Sequence, residues 1–118
     1  MGRNAVEEKS FRFSIRVVRL YRMMTEQKKE YVLSKQLLRS GTSIGANVTE
    51  AEHGFSRKDF LAKMYIAYKE CAETAYWLKL LYATDYLSEA EYHSICGDCM
   101  ELKKMLSAIT KTTREGDG

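Results

Sequence analysis

Residues 33–54, LSKQLLRSGTSIGANVTEAEHG, carry two stripes of different chemistry at helical spacing, and the fold follows from how they are read. With each residue turned ~100° from the last, Leu33, Leu37, Gly41, Ile44, Val48 and Ala51 fall on one narrow face that packs inward. Beside it run Gln36, Arg39, Ser40, Ser43, Asn47 and Glu50, groups that form directed hydrogen bonds where an ordinary wet face would be richer in Lys and Glu. Gly41 and Gly45 each cost about 1 kcal/mol relative to alanine in a helix interior, so they predict close approach of another backbone. A helix with two such faces touches more than one neighbour.

Outward from this stretch the same helical signal continues on both sides. The first helix is expected over about residues 6–27, with Phe13, Val17, Leu20 and Met24 on one side and Phe11, Ile15 and Val18 on an adjoining one. Arg12, Arg16, Arg19 and Arg22 form a band along it. That band suits a phosphate backbone, because guanidinium forks match phosphate geometry, and it equally suits a solvated face whose arginine stems cover apolar surface. Lys28 to Glu30 make a short charged link, which places the second helix, about 31–53, antiparallel to the first. Gly54 is suited to a left-handed cap, and Ser56 with Asp59 opens the third helix, about 57–84.

The third helix has Phe60, Met64, Ala67, Cys71, Ala75, Leu78 and Tyr82 as its expected core stripe. Its last turns, YWLKLLY over 76–82, are apolar all round, whereas a helix of a solitary bundle is apolar on about one side. Tyr65, Tyr76, Trp77 and Leu80 fall away from the stripe and predict a subunit interface; the competing reading packs them under a connection. Ser88 followed by Glu91 has capping-box spacing, so the fourth helix starts at Glu89 and runs to about 113. Its seam is Tyr92, Ile95, Cys99, Leu102, Leu106 and Ile109, and the tail over 111–118, KTTREGDG, is expected to fray. The fold class is therefore all-α: one domain over 1–118, an antiparallel up-down-up-down four-helix bundle.

Composition agrees, with no proline, seven glycines and no apolar run near the ~18 residues of a membrane span. Without a secretory signal pattern at MGRNAVEEKS, a cytoplasmic protein with no membrane partner is expected. The net charge of +3 is uneven: residues 1–59 hold twelve Lys/Arg and seven Asp/Glu, and residues 60–118 hold seven and nine. The basic half permits a phosphate-rich partner without requiring one.

Candidate chemistry is thin. His93, Cys96 and Cys99 are spaced three apart but spread over ~120° of a helix, and only Cys71 from another helix could join them, so no metal site is expected. Three cysteines without an export signal read as reduced thiols, and Cys71 and Cys99 as small core hydrophobes. Glu70 and Glu73 sit beside the core stripe and are expected to pair with a cation such as Arg39. His53 and His93 have no arginine at the spacing of HEPN-type ribonucleases, and no glycine-rich phosphate loop occurs. No catalytic residues, cofactor or metal are assigned; an enzyme built on Cys96, Cys99, His93 and a metal ranks last.

The second helix resembles a known family. QLLRS over 36–40, Ser43-Ile44 and NVTEA over 47–51 resemble the pattern Q-x-x-R-S-x-x-S-I-x-x-N-I-x-E-G of four-helix-bundle proteins encoded in 23S ribosomal-RNA intervening sequences. IAYKECAETAYWLKLL over 66–81 is similar to that family's third helix. Ala51 stands where the pattern has its last glycine, and Lys69-Glu70 where a Gly-Ser pair is often found, which suggests a subgroup. The resemblance implies a left-handed bundle that assembles as a homo-oligomeric ring, a pentamer, and defines no activity. A related branch, the accessory variability determinant of diversity-generating retroelements, is a basic pentameric barrel that binds reverse transcriptase and nucleic acid. The leading expectation is a non-enzymatic ring-forming accessory or scaffold. In it Arg12, Arg16, Arg19, Arg22, Lys35 and Arg39 contact RNA or DNA, or face a nucleic-acid-processing protein. The alternative is a purely protein-binding oligomer in which the arginines only solubilise.

Overall fold

The computed structural model describes residues 2–117, with side chains described over 5–114. Four helices, α1 (Gly2–Glu26), α2 (Leu33–Glu52), α3 (Arg57–Ala83) and α4 (Glu89–Asp117), fold back on one another through links of 6, 4 and 5 residues. Each packs on its neighbours in the order α1, α2, α3, α4 and back to α1, and among the described residues no diagonal pair meets. The result is the expected four-helix bundle, 48 × 22 × 20 Å, with one core running its length.

The core is a set of heptad seams, which is what keeps helices of this length aligned at small crossing angles. Buried positions are Val6, Ser10, Phe13, Val17 and Met24 on α1, and Ser34, Leu37, Gly41, Ile44, Val48 and Ala51 on α2. On α4 they are Ile95, Cys99, Leu102, Leu106 and Thr110. The α3 seam departs from expectation, since Thr74 and Leu81 are buried where Ala75 and Tyr82 were expected, the latter two being only partly covered. A strict alternation of four and three residues from Phe60 selects Thr74; a reading by hydrophobicity passes over a threonine whose hydroxyl is internally bonded. Phe11 and Ile15 stay exposed, so the apolar arc of α1 is narrower than its composition suggests.

Both helical glycines of α2 sit against α1. A Cβ at Gly41 would lie 2.8 Å from both Val17 methyls, and one at Gly45 would lie 3.3 Å from the Ser10 carbonyl oxygen. The helix ends differ from expectation: α1 begins at Gly2 where about 6 was expected, α2 at Leu33 where about 31 was expected, and two further ends need correction. No glycine is left-handed among the described residues, so Gly54 does not act as the expected cap; His53 ends α2 at φ −108°, and Gly54 instead lets Asp59 approach. Left-handed backbone occurs at Lys29 and Asp85, where the chain turns out of α1 and α3. The fourth helix continues to Asp117 where a frayed tail was expected from 111, since nothing before Gly116 interrupts it and Thr110 anchors the preceding turn in the core.

Two caps follow the sequence signals: Ser56 Oγ accepts from Asp59 N at 3.1 Å, and Ser88 and Glu91 exchange bonds of 3.1 and 2.8 Å. The start of α2 uses a device the sequence hid. The buried Glu30 carboxylate reaches forward and accepts from the backbone N–H groups of Val32, Leu33 and Ser34 at 3.1, 2.9 and 2.7 Å. Burial raises its pKa, but these donors outweigh that and hold it below the usual carboxylate range.

Candidate functional site

Because α2 and α3 are antiparallel with facing seams, residues one step off each seam meet along a rim. Arg39, half exposed, binds the Glu73 carboxylate, and its Nη1 lies 3.8 Å from Glu70 Oε1. Gln36 Oε1 is at the limit of bonding from Arg39 Nε, at 3.5 Å. Trp77 Nε1 donates to Glu73 Oε2 at 3.0 Å, so one carboxylate ties an arginine of α2 to an indole of α3. Beneath them the hydroxyls of Ser40 and Thr74 stand 3.0 Å apart, fully buried, with Thr74 donating to the Glu70 carbonyl at 2.7 Å. Farther along α2, Asn47 donates to Ser43 O at 2.9 Å and Ser43 Oγ at 3.0 Å, and Glu50 pairs with Lys63 at 2.8 Å. The polar stripe is thus three separate groups: a network across α2 and α3 around Arg39 and Ser40, the Ser43–Asn47 pair within α2, and the Glu50–Lys63 ion pair. One atom in it is left over: Glu70 Oε1 is sealed from solvent and accepts no hydrogen bond among the described residues.

The outer face of α3 is unusually apolar. Tyr76 is 57% exposed and rests edge-on against Trp77, with ring centroids 5.0 Å apart, while Trp77 and Leu80 are half buried. Tyr65, also exposed, is eleven residues and about 16 Å from Tyr76 along the helix. It stacks on Tyr68 at 5.9 Å, so the expected aromatic set divides into a Tyr76–Trp77–Leu80 group and a separate Tyr65–Tyr68 pair.

The arginine band is divided in another way. Arg12 pairs with Glu8 on its own helix, and Arg16 binds Asp98 at 2.6 Å and Ser94 Oγ at 2.9 Å on α4. Lys9 shares Asp98 with Arg16 at 3.7 Å and also pairs with Glu101 at 2.9 Å. Arg19 and Arg22 are exposed and make no ion pair among the described residues. Lys35 is exposed on α2, and Arg39 belongs to the α2–α3 rim, so the six expected phosphate contacts do not share one face. The sequence reading missed another cationic group, Lys103, Lys104 and Lys111. The surplus of acids after residue 60 concealed it, although Asp85, Glu89 and Glu91 lie at the opposite end of α4.

Of the three cysteines, Cys96 is partly exposed and the other two lie in the core. Cys71 and Cys99 are buried, with Cys99 Sγ donating to the Cys71 carbonyl at 3.4 Å. Its hydrogen bond with Cys99 and its burial push the Cys71 thiol up, away from thiolate. His93 is exposed beside Glu89, and among the described residues no group of three metal-ligating side chains converges. No helix among them is long and apolar enough to cross a membrane.

Together these features define a class: an α-helical bundle with a hydrogen-bonded rim and an apolar outer face. The family model described as 23S rRNA-intervening sequence protein matches residues 3–108, and the chain belongs to that family. A crystal structure from Bacteroides thetaiotaomicron VPI-5482, titled as a protein with unknown function from the S23 ribosomal protein family, is 50% identical. The match covers 94% of this chain and 99% of that one, with a TM-score of 0.93. No curated protein matches.

Proposed function

We propose that the protein is a non-enzymatic scaffold that assembles with copies of itself through the outer face of α3 and the adjoining α2 rim. The observation that carries this is the Tyr76–Trp77–Leu80 surface, apolar where a solitary bundle is polar. The family resemblance makes a closed ring of five the expected assembly. We extend the same reading to a ring that serves a nucleic-acid-processing partner, as the family resemblance implies through its retroelement-associated branch.

Light scattering tests it. The native protein should have a mass several times the 13.6 kDa chain. Tyr76→Glu, a surface change, should lower that mass toward one chain while helical circular dichroism is kept. A native protein of single-chain mass would overturn the proposal.

A further inference from the structure

Away from the α2–α3 rim, α3 and α4 meet over a shallow groove of about 840 Å³ lined by Tyr68, Lys103, Lys104, Ser107 and Lys111. Glu101 is the one carboxylate in its lining, and Lys9 of α1 already neutralises it at 2.9 Å. The three lysines make no ion pair among the described residues, in contrast to Arg12 and Arg16. Lys103 Nζ is 5.9 Å from the Tyr68 ring centroid, and Lys69 Nζ is 5.9 Å from that of Tyr65. The two rings stack at 25°, and Tyr65 remains 48% exposed. Unpaired cations beside a pair of aromatic rings are the parts from which sequence-tolerant single-strand sites are made.

The geometry points to this groove, together with the Tyr65 ring that stacks on its Tyr68 edge, as a binding site for single-stranded nucleic acid, with Lys103, Lys104 and Lys111 on the phosphates and Tyr65 as the ring that receives a base. Lys104 and Lys111 are two turns apart on α4, about 10.5 Å, which spans about three stacked nucleotide steps of ~3.4 Å. The cations follow a single helix, so they track one strand and not the two of a duplex. An acidic peptide would satisfy the lysines but leave the tyrosine pair without a role.

The test is fluorescence anisotropy with a labelled oligouridylate of about 16 nucleotides, using the full chain. Three phosphate contacts to a single strand predict a log–log salt slope near about −2, hence about 20-fold weaker binding at 200 than at 50 mM salt. Lys103→Gln/Lys104→Gln/Lys111→Gln should lose at least about 20-fold at low salt and flatten the slope. Tyr65→Leu should lose at least about fivefold. Arg12→Gln/Arg16→Gln should change affinity by less than about twofold. Light scattering on the lysine variant should give the native mass, which separates this site from the assembly surface. Absence of native binding at low salt overturns the site, as does binding that survives the lysine variant or is lost with altered mass. Equal affinity for polyglutamate, with no effect of Tyr65→Leu, also overturns it in favour of an acidic protein partner.

Discussion

On its α1 side, α2 approaches its neighbour so closely that a Cβ at Gly41 would stand 2.8 Å from both methyls of Val17. On its α3 side runs a rim of directed bonds in which Arg39 is half exposed and Glu70 Oε1 accepts no hydrogen bond among the described residues. The first side is sterically closed at Gly41 and Gly45. The second leaves hydrogen-bonding capacity and apolar area over. Function is to be sought where the fold's own demands have been met and something remains.

The sharpest way to break this contrast is to load the closed side. Gly41→Val should destabilise by about 3 kcal/mol in urea unfolding, because a branched side chain is forced onto Val17 and overpacking outweighs the gain in helix propensity. Adding Val17→Ala should recover part of the loss. If Gly41→Val were neutral, the α1 side would have slack and the two sides would not differ in kind.

The next effect sharpens the other side. Thr74→Val should cost about 1–2 kcal/mol, because it removes the hydroxyl that meets Ser40 at 3.0 Å and leaves a buried partner with a weaker bond. A double-mutant cycle with Ser40→Ala should show coupling of about 1 kcal/mol. Additive losses would mean that the hydroxyls only fill space.

The inward stripe of α2 was legible from periodicity alone, since its apolar side chains and glycines recur at seam spacing and burial follows. The polar rim was legible in part: Gln36, Ser40, Ser43 and Asn47 stood out as directed hydrogen-bonding groups on a helix surface, and Glu70 and Glu73 lay where they could pair with Arg39. What escaped depends on relations between distant residues or on backbone groups. Thr74 looks polar until Ser40 is seen to face it, and Glu30 looks like link charge until three N–H groups are seen to point at it. Arg16 looks free until Asp98, from the far end of the chain, is beside it.

Glu30 gives the contrast a pH dependence. Glu30→Gln should cost about 1 kcal/mol at neutral pH, as loss of a charged cap at the start of α2 does. Since its folded pKa is lowered, the carboxylate's contribution is complete above the ordinary value of 4.5 and disappears as pH falls through the folded one. The gap between native and Glu30→Gln stabilities should therefore close on acidification below pH ~4.5. A gap that widened there would place the stabilisation in the protonated form and remove Glu30 as the cap.

The smallest expected effect comes from the α1–α4 rim, where the same residue types serve as a control. Arg16 and Asp98 are bonded at 2.6 Å, and like Arg39 and Glu73 both are more than one-third exposed, so water can replace either partner; what differs is that no sealed carboxylate oxygen lies beside Arg16 as Glu70 Oε1 lies beside Arg39. Arg16→Ala should therefore cost no more than about 0.5–1 kcal/mol, and the cost should shrink as salt rises. Arg39→Ala leaves Glu70 more poorly served in a sealed position, so its penalty should be the larger and should persist in salt. Equal, salt-sensitive losses would show that the α2–α3 rim is an ordinary surface network, and the distinction drawn between the sides of α2 would reduce to sterics alone.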